Sequence, residues 1–551
     1  MSQPIDEDLL PGTTPATVEA DGGFQPHNRS GLIAWLASGA LHGTALLLAA
    51  TIVVLVSEQP DELPPTRTPY LPPPIAKAPV DPPPSDPTPP KDPLEFAPTE
   101  LAEVQTPFSP LEQLDETSLS DDAADSLLSR GRAEAVSAIE CGGPGFLLSL
   151  GAGPSGSGMF GDRGPGSRRR AVGLRGGSKG SEDAVESALR WFKKHQSPNG
   201  MWDAEKYFLN CTDDRKCDPG SLGGHGAEEV NVAMTGYALL CFLGAGYDHK
   251  TPNTHRLVVR KGIEWLLSVQ KPDGLLGTRN YEHPVAVMAL AEAYAMTTDP
   301  ELRKPAQLGV DVIVQRQNQT EGGGYGLGWD YQKPGRRNDA SVTGWNVMAL
   351  KSAYAAGLTV GNAMEGAKQW LEQAWKANND GQGGRPDWRK LDPYTSESRF
   401  SYAYPTGATE FGEGFGHQDL APVALVCAVF LGHRAGDPML ETLANFVMNK
   451  QTPKAYPTNT YYMYYNTLGI FQLGTDSPRW KTWNSVVRDM LVGAQRKGEG
   501  EGCFAGSWDW EGTRFHGNAI GRVLSTAYST LCLEVYYRYR YAQELKLKTK
   551  S

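Results

Sequence analysis

One spacing recurs through the C-terminal two-thirds of this chain. An apolar or aromatic residue is followed five positions later by glutamine, then by a glycine-containing turn and often by a second aromatic residue. Five copies keep the glutamine: Trp191/Gln196, Trp265/Gln270, Val312/Gln317, Phe446/Gln451 and Met490/Gln495. A sixth opens at Trp370 but has Trp375 at the glutamine position. Such self-similarity is typical of one supersecondary unit used repeatedly, so it constrains the architecture before any local feature does.

The segments between the copies alternate in character. Amphipathic runs that carry the spacing, such as AVESALRWFKKHQ, are followed by runs that are apolar on nearly all sides, such as MTGYALLCFLGAG and APVALVCAVFLG. A helix that is apolar all round is buried, and its amphipathic partner covers it. Six such hairpins predict two concentric layers of helices, and closing the ring buries the terminal repeats.

The turns after the glutamines contain glycine and aromatic residues at related places. These are Gly200 with Trp202, Gly274, Gly323 with Tyr325, and Gly506 with Trp508. The segment RWFKKHQSPNGMW resembles the repeat of the squalene-cyclase and protein-prenyltransferase family, and the resemblance covers residues 181–541. It implies an all-α fold, an α/α toroid of about six helix hairpins around a central cavity. We expect the glutamines to bond backbone groups at helix ends and the aromatics to fill the gaps beside the turns.

The chemistry of that family is not preserved in the sequence. Squalene cyclases place Asp-x-Asp-Asp-Thr-Ala at the start of an inner helix, and the nearest segment here runs from Arg336 to Ser341. Asn338 stands where the resemblance puts the proton-donating aspartate, and Asp339 is the acid that remains. The zinc-binding Asp-x-Cys pair of prenyltransferases does not occur in the chain. The resemblance therefore predicts a cyclase-like scaffold without classical cyclase or prenyl-transfer chemistry, and it implies no cofactor.

Several polar residues fall just before the predicted inner helices. They are His225, Glu228, Glu229, His283, Asp339, Glu413, His417, Asp419 and His516. In a ring these helix starts meet at one rim, where carboxylates gain from the helix dipoles. N-capping and loop solvation is the simplest interpretation. The alternatives are a ligand or metal site formed by His283, Glu413, His417 and Asp419, and catalysis by Asp339 or Asp419.

A run of tyrosines in the last third allows two interpretations. Tyr461, Tyr462, Tyr464 and Tyr465 fall on one predicted inner helix. They either pack with satisfied hydroxyls or line the cavity and stack on a sugar or terpenoid ligand.

Charge and cysteine usage exclude other classes. A net charge of -11 argues against a nucleic-acid partner, and the short basic run Arg168–Arg170 reads as a solvated segment among glycines. Cys211 and Cys217 lie in the polar loop FLNCTDDRKCDPG and are able to pair outside the cytoplasm. Their spacing predicts no zinc site, since no second Cys-x-x-Cys or His pair accompanies it.

The N-terminal third predicts a membrane anchor and a stalk. Residues 1–30 read as a disordered cytoplasmic tail, 31–56 as a transmembrane helix without Asp, Glu, Lys or Arg, and 57–180 as a Pro-rich and then Gly/Ser/Arg-rich linker. The toroid domain spans 181–541 and a tail 542–551. The flanking charges place the N-terminus inside, so we expect a single-pass protein of a bacterial inner membrane with a periplasmic toroid.

Ser38 and His42 lie on one face of the predicted anchor, and His42 is its ionisable residue. With the Pro-rich spacer, this arrangement is similar to the anchor of TonB-type energy-transducing proteins, which implies docking to an ExbB/ExbD-type proton-channel complex. The alternative is a plain anchor.

Three function classes follow from the sequence. The first is a module that binds a hydrophobic or polar small ligand, or a protein, in its cavity or at its rim. The second is an enzyme of the same superfamily with an altered active site. The third is a transducer that works through Ser38 and His42. We expect the first, a binding module without classical cyclase chemistry.

Overall fold

The structure is a computed structural model. It describes residues 160, 162–320, 326–404, 419–510 and 521–539. The predicted tail at 1–30, the predicted membrane helix at 31–56 with Ser38 and His42, and most of the predicted linker lie outside the described residues. Among the helices that are described, none is long and apolar enough to cross a membrane. The membrane location therefore stays a prediction.

Six helices of the described chain form the outer layer of the ring. They are α2 Lys179–His195, α4 Arg256–Val269, α6 Pro300–Gln315, α8 Ala363–Asn378, α10 Pro438–Lys450 and α12 Pro478–Ala494. Three of them begin with proline directly after a capping Asp or Ser: Asp299 before α6, Asp437 before α10 and Ser477 before α12. The cap oxygen accepts an orphan N–H of the first turn, and proline at the first helical position loses no hydrogen bond.

Six helices alternate with these and form the inner layer. They are α3 Ala227–Gly244, α5 Glu282–Thr297, α7 Ala340–Ala355, α9 Ala421–Phe430, α11 Thr460–Gln472 and α13 Arg522–Leu533. Each inner helix contacts the next one, and α13 contacts α3, which closes the ring. The inner helices are buried on all sides for most of their length, as their uniform apolarity predicts.

Shorter elements complete the described chain. Helix α1 (Pro165–Arg175) precedes the first hairpin, and α14 (Val535–Arg538) follows the last. Strand β1 (Asn338–Asp339) pairs antiparallel with β2 (Ala403–Tyr404). Within the basic run, Arg169 and Arg170 are exposed, whereas Arg168 is buried and contacts Glu182.

The repeat glutamines join neighbouring hairpins through backbone carbonyls. The side-chain amide of Gln196 donates to Gly200 O in its own turn at 2.8 Å and to Val258 O of helix α4 at 2.9 Å. Three further glutamines repeat this double contact, Gln270 to Gly274 O and Pro305 O, Gln317 to Leu327 O and Ala363 O, and Gln495 to Gly506 O and Ala184 O. Because Ala184 belongs to α2, the clamp at Gln495 ties the last repeat to the first. Gln451 differs, since its amide oxygen accepts from Asn466.

The turn after each of these glutamines lies against the backbone of the next outer helix. Gly200 has φ +100°, and a Cβ there would collide with the carbonyl of Lys261. Gly506 has φ +99° and lies in the same way against Ser187 O. These positions accept glycine alone, because both the left-handed backbone and the close approach exclude a side chain.

The third copy of the repeat is shifted from its predicted place. Gly323 and Tyr325 lie outside the described residues. The position equivalent to Trp202 is Trp329, whose indole donates to Ile313 O at 2.8 Å, as Trp202 donates to Phe192 O at 2.8 Å. The preceding turn position is Leu327, with φ +84°. The third turn is therefore longer than the first, and simple counting from Gln317 missed its aromatic residue.

The predicted fold class is confirmed: the described chain is all-α apart from one two-residue strand pair, and it forms an α/α toroid of six helix hairpins.

We expect Gln196→Ala to destabilise the toroid by about 1–3 kcal/mol, because it removes two hydrogen bonds that join the turn of the first repeat to helix α4. The exposed Gln382 makes no side-chain hydrogen bond in the structure, so Gln382→Ala is the matched control and should change little. Urea unfolding of both variants measures the difference. Equal urea midpoints for the two variants would show that the Gln196 contacts do not stabilise the fold.

Candidate functional site

A cavity opens at the end of the ring where the inner helices begin. Its volume is about 990 Å³ including the open mouth. All six inner helices contribute residues from near their N-terminal ends. The lining comprises His225, Glu229, Val230, Ala233, Met234, Tyr237, Arg279, Tyr281, Glu282, Tyr331, Ser341, Tyr402, Leu420, Asn459, Tyr461, Leu524 and Tyr528. The convergence of inner-helix starts on one rim is therefore present in the described structure.

Tyrosines dominate the cavity wall. Tyr281 and Tyr331 stack near the mouth with ring centroids 6.1 Å apart and an interplanar angle of 11°. The hydroxyl groups of Tyr331 and Tyr402 are 2.6 Å apart and share a hydrogen bond. Deeper in the ring, Tyr237 and Tyr528 join their hydroxyls at 3.0 Å. Burial raises the pKa of these phenols, so they stay protonated and offer hydrogen-bond donors beside aromatic faces.

Two carboxylates at the mouth share their partners. The Arg279 guanidinium lies 3.1 Å from Glu229 Oε2 and 3.4 Å from Glu282 Oε2. The Thr278 hydroxyl contacts Glu229 and also Glu282 Oε1. Glu282 also accepts the backbone N–H groups of Thr278 and Arg279, which holds this loop over the start of α5. The shared threonine and arginine therefore hold the two carboxyl groups side by side.

His225 belongs to the same polar patch. Its Nδ1 lies 3.1 Å from Arg279 Nη1, and its side chain is exposed at the mouth. The mouth therefore combines an imidazole, a guanidinium and two carboxylates within one loop-and-helix junction.

Asp339 lies behind this wall as the N-cap of α7. Its Oδ1 accepts the N–H groups of Ser341 and Val342 at 2.9 and 3.0 Å, and its Oδ2 faces Arg337 at 2.9 Å. The side chain is fully buried, and burial raises the pKa of its carboxyl. Ser341, rather than Asp339, reaches the cavity surface. The candidate acid is thus placed one residue layer behind the cavity, in a capping role.

Asn338 holds the loop that precedes Asp339. Its amide oxygen accepts from Gly328 N at 3.0 Å, and its amide nitrogen donates to Tyr404 O at 2.9 Å. Asn338 therefore links two loops at the rim.

His283 lies inside the helix layer and does not line the cavity. Its Nδ1 accepts the N–H of Leu276 at 3.0 Å, and its Nε2 faces Gly309 O at 2.9 Å. Both ring nitrogens therefore bond protein backbone. Burial is the main cause that lowers its pKa to about 4, so the imidazole stays neutral near pH 7.

Asp419 bonds the start of α9. One carboxylate oxygen accepts Ala421 N at 3.1 Å, and the other faces Arg399 Nε at 2.7 Å. Burial raises the pKa of Asp419. Its predicted companions Glu413 and His417, and also His516, lie outside the described residues, so the ligand set proposed for them stays a prediction.

The predicted tyrosine run divides between the two interpretations. Tyr461 lines the cavity. Tyr462, Tyr464 and Tyr465 are buried, and Tyr464 stacks on Trp345 at 5.9 Å with an interplanar angle of 9°. One member therefore faces the cavity while Tyr464 packs within the ring.

A cluster of buried charges fills the ring below the cavity. Glu292 stands ten residues after the start of the cavity-lining turn of α5, about 15 Å further along the helix. It pairs with Arg163 at 2.9 Å and Arg538 at 3.1 Å, and all three side chains are buried. Lys351 Nζ lies over the Phe430 ring at 3.3 Å. Arg163 and Arg538 come from the two ends of the described chain, so the contact with Glu292 joins these ends inside the ring.

Sequence inspection missed several cavity residues, namely Arg279, Tyr281, Glu282, Tyr331 and Tyr402. Tyr281 and Glu282 lie at the start of inner helix α5, so a search for polar residues at inner-helix starts could have found them. Tyr331 and Tyr402 come from loops that cross the rim, and only the fold brings these loops together.

Comparison with known proteins gave fold relatives alone. No protein-family model and no protein of curated function matches the sequence. An α-1,6-mannanase from a Salegentibacter species aligns over 65% of this chain and 98% of its own, with a TM-score of 0.43 and 14% identity. An unsaturated glucuronyl hydrolase specific for heparin aligns over 67% and 99%, with a TM-score of 0.44 and 14% identity. A D-mannose isomerase aligns over 65% and 97%, with a TM-score of 0.42 and 12% identity.

These findings correct the predicted family. The structures named above are carbohydrate-processing enzymes, and no squalene cyclase or prenyltransferase is among them. Membership of the squalene-cyclase and prenyltransferase family is therefore wrong, and so is the prediction of a non-catalytic binding module on that scaffold. The transducer alternative rests on Ser38 and His42, which lie outside the described residues. The physical reason lies in the role of the repeat: the glutamine and glycine contacts solve the packing of stacked hairpins, so they report architecture rather than ancestry or activity.

Acid should destabilise the fold through its buried histidines. Burial lowers the pKa of His255 and of His283 to about 4, while an unfolded histidine titrates near 6.5. The unfolded chain therefore takes up protons first as pH falls, and each histidine should remove about 2 kcal/mol of stability between pH 7 and pH 5. Urea unfolding at both pH values measures this loss. His283→Gln should show a smaller acid-dependent loss than the wild type, and the exposed-site variant His225→Gln an unchanged one. An unchanged loss in His283→Gln would contradict the assignment.

Proposed function

We propose that this protein is a carbohydrate-processing enzyme that acts on a saccharide in the tyrosine-lined cavity. The observation that carries the proposal is the combination of stacked tyrosine faces with two adjoining carboxylates, Glu229 and Glu282, at one cavity mouth.

The aromatic part of the wall suits a sugar ring. A pyranose presents a face of C–H groups and an edge of hydroxyls, so it packs on an aromatic face while its edge forms hydrogen bonds. The half-exposed rings of Tyr281, Tyr331 and Tyr402 supply faces near the mouth. Their protonated hydroxyls, with the Asn459 amide, supply polar partners.

The carboxylate pair supplies the groups that glycosidic-bond cleavage requires. One carboxyl protonates the leaving oxygen, and the other acts on the anomeric carbon directly or activates a water. Glu229 is half-buried and reaches the cavity, whereas Glu282 is almost fully buried and fixed by the loop N–H groups. We assign Glu229 the role that contacts substrate most directly. Arg279, between the two, would hold them in place and donate to sugar hydroxyls.

Glu229→Gln should lower saccharide cleavage at least about 100-fold with substrate binding retained, because the amide keeps the shape but loses acid–base capacity. Glu228 stands next to it on the same helix, is exposed and does not line the cavity, so Glu228→Gln is the matched control and should keep full activity. The assay is release of reducing ends from a panel of neutral and uronate-containing oligosaccharides. No cleavage of any member by the wild type, or full activity of Glu229→Gln, would overturn the proposal.

Tyr281→Ala should weaken saccharide binding by about 1–2 kcal/mol, roughly 5- to 30-fold in Kd, through loss of the stacking face. Calorimetric titration with an oligosaccharide measures the effect in the Glu229→Gln background. Tyr394 is 80% exposed and lies outside the cavity lining, so Tyr394→Ala serves as the control. Equal affinities of the two variants would exclude Tyr281 from the binding surface.

A further inference from the structure

Four metal-ligating side chains meet where the last repeat joins the first. His195 ends helix α2, and Cys211 and Cys217 lie in the loop that follows it. Cys503 comes from the short 3-10 helix Glu499–Phe504 after the Gln495 clamp. All four side chains are buried, and the three cysteines are free thiols. About 300 residues of chain separate Cys503 from the other three.

The ligand atoms of His195, Cys211 and Cys503 form one close group, and Cys217 Sγ lies beside it. One ligand atom each from His195, Cys211 and Cys503 lies within 4.8 Å of the others. His195 Nε2 is 2.9 Å from Cys503 Sγ and 3.7 Å from Cys217 Sγ. In a tetrahedral zinc site with Zn–S of ~2.3 Å and Zn–N of ~2.0 Å, neighbouring ligand atoms are about 3.5–3.8 Å apart. His195 Nε2 and Cys503 Sγ are closer together than this, and Cys217 Sγ donates to Cys503 O, so the side chains have to rearrange to surround one ion.

The backbone prepares His195 for this role. Its Nδ1 lies 2.7 Å from Trp191 O, the geometry of an N–H that donates to a carbonyl. That bond fixes the proton on Nδ1 and leaves the Nε2 lone pair directed at the thiols, as in metal-binding histidines generally. The indole of Trp191 also donates to Cys503 O at 2.9 Å, so one repeat tryptophan orients the imidazole and anchors the loop that brings Cys503.

We propose that His195, Cys211, Cys217 and Cys503 bind one zinc ion as a closed Cys₃His site. Three thiolates and one imidazole form a donor set that prefers zinc among the common divalent ions, and four protein ligands leave no open position for substrate. The site is therefore structural. A disulfide between two of the cysteines would leave the third thiol and the prepared His195 without a role.

The site lies between the first and last hairpins, so a bound ion would affect how the ring closes. Cys503 N donates to Arg215 O at 2.9 Å, and Cys217 Sγ donates to Cys503 O at 3.0 Å, so the two loops already lie against each other. The ion would join the first and last hairpins at the seam where Gln495 contacts Ala184. Zinc binding requires the first and last hairpins to lie side by side. It would therefore stabilise the closed ring relative to the unfolded chain.

The direct test is metal analysis of the full chain, purified without chelator or nickel resin. We expect about one zinc per chain by inductively coupled plasma mass spectrometry. Replacement by Co²⁺ should give the thiolate charge-transfer band and the intense visible bands of tetrahedral cobalt. Removal of zinc by a chelator should expose three additional reactive thiols and lower the thermal midpoint. A metal-free protein that gives no tetrahedral cobalt spectrum, or one whose mass spectrum shows a disulfide among Cys211, Cys217 and Cys503, would overturn the proposal.

A pair of variants separates the site from general effects of removing a buried thiol. Cys503→Ala should abolish stoichiometric zinc and the cobalt spectrum. Cys427 is equally buried, on inner helix α9, and its Cys427→Ala variant should keep both. If Cys503→Ala does not fold, the cobalt spectrum of the wild type still decides the question. None of the four ligands lines the cavity, so the outcome is independent of the saccharide proposal.

Discussion

The amide of the repeat glutamine determines how one hairpin is placed on the next. It donates twice, once to the turn of its own repeat and once to the outer helix that follows, so both the angle and the spacing between hairpins are fixed. A carbonyl oxygen has two lone pairs, so a carbonyl of the outer helix can accept from the glutamine amide as well as from its own helix. The glycine at the turn makes this possible, because Gly200 and Gly506 let the turn touch the neighbouring backbone. Where the clamp is absent, as at Trp375, a bulky side chain and its own hydrogen bond to Ser398 fill the place.

The cavity follows from the closed ring. Six inner helices that point their N-termini the same way bring six helix starts to one rim, and the short loops before them carry the polar residues. Asp339 and Asp419 cap helices there, whereas Glu229 and Glu282 reach the mouth. Acidic residues at the rim therefore either cap a helix or face the cavity mouth, depending on where the preceding loop ends. Tyr281 and its neighbours complete a wall that is aromatic below and charged above.

Two sets of contacts lie at the junction between the last and the first repeat. The clamp at Gln495 connects the last turn to Ala184, and the cysteine–histidine cluster lies beside it. Deeper inside, Glu292 pairs with Arg163 and Arg538, which come from the two ends of the described chain. Removing one partner of a fully buried pair leaves an uncompensated charge, so this cluster favours the closed arrangement strongly over an open one. A toroid differs from an open solenoid in this respect, because its terminal repeats stabilise each other instead of needing caps.

The sequence determined the helical pairs, their layers and their closure. A glutamine at constant distance after an aromatic residue, alternating with helices that are apolar all round, has few other packing solutions. The sequence did not reveal which polar residues meet. His283 looked like a rim ligand but bonds backbone on both sides, because its position in α5 turns it into the helix layer. Cys211 and Cys217 looked like an isolated pair, because spacing along the chain carries no information on a third thiol.

Only the tertiary structure places Cys503 beside His195 and brings the tyrosines of distant loops around one cavity. Ring closure joins segments separated by about 300 residues, and local patterns do not encode such contacts. The physical reason is the same for both sites. Periodicity reports which face of a helix is buried, whereas the composition of a site depends on which loops the closed ring brings together.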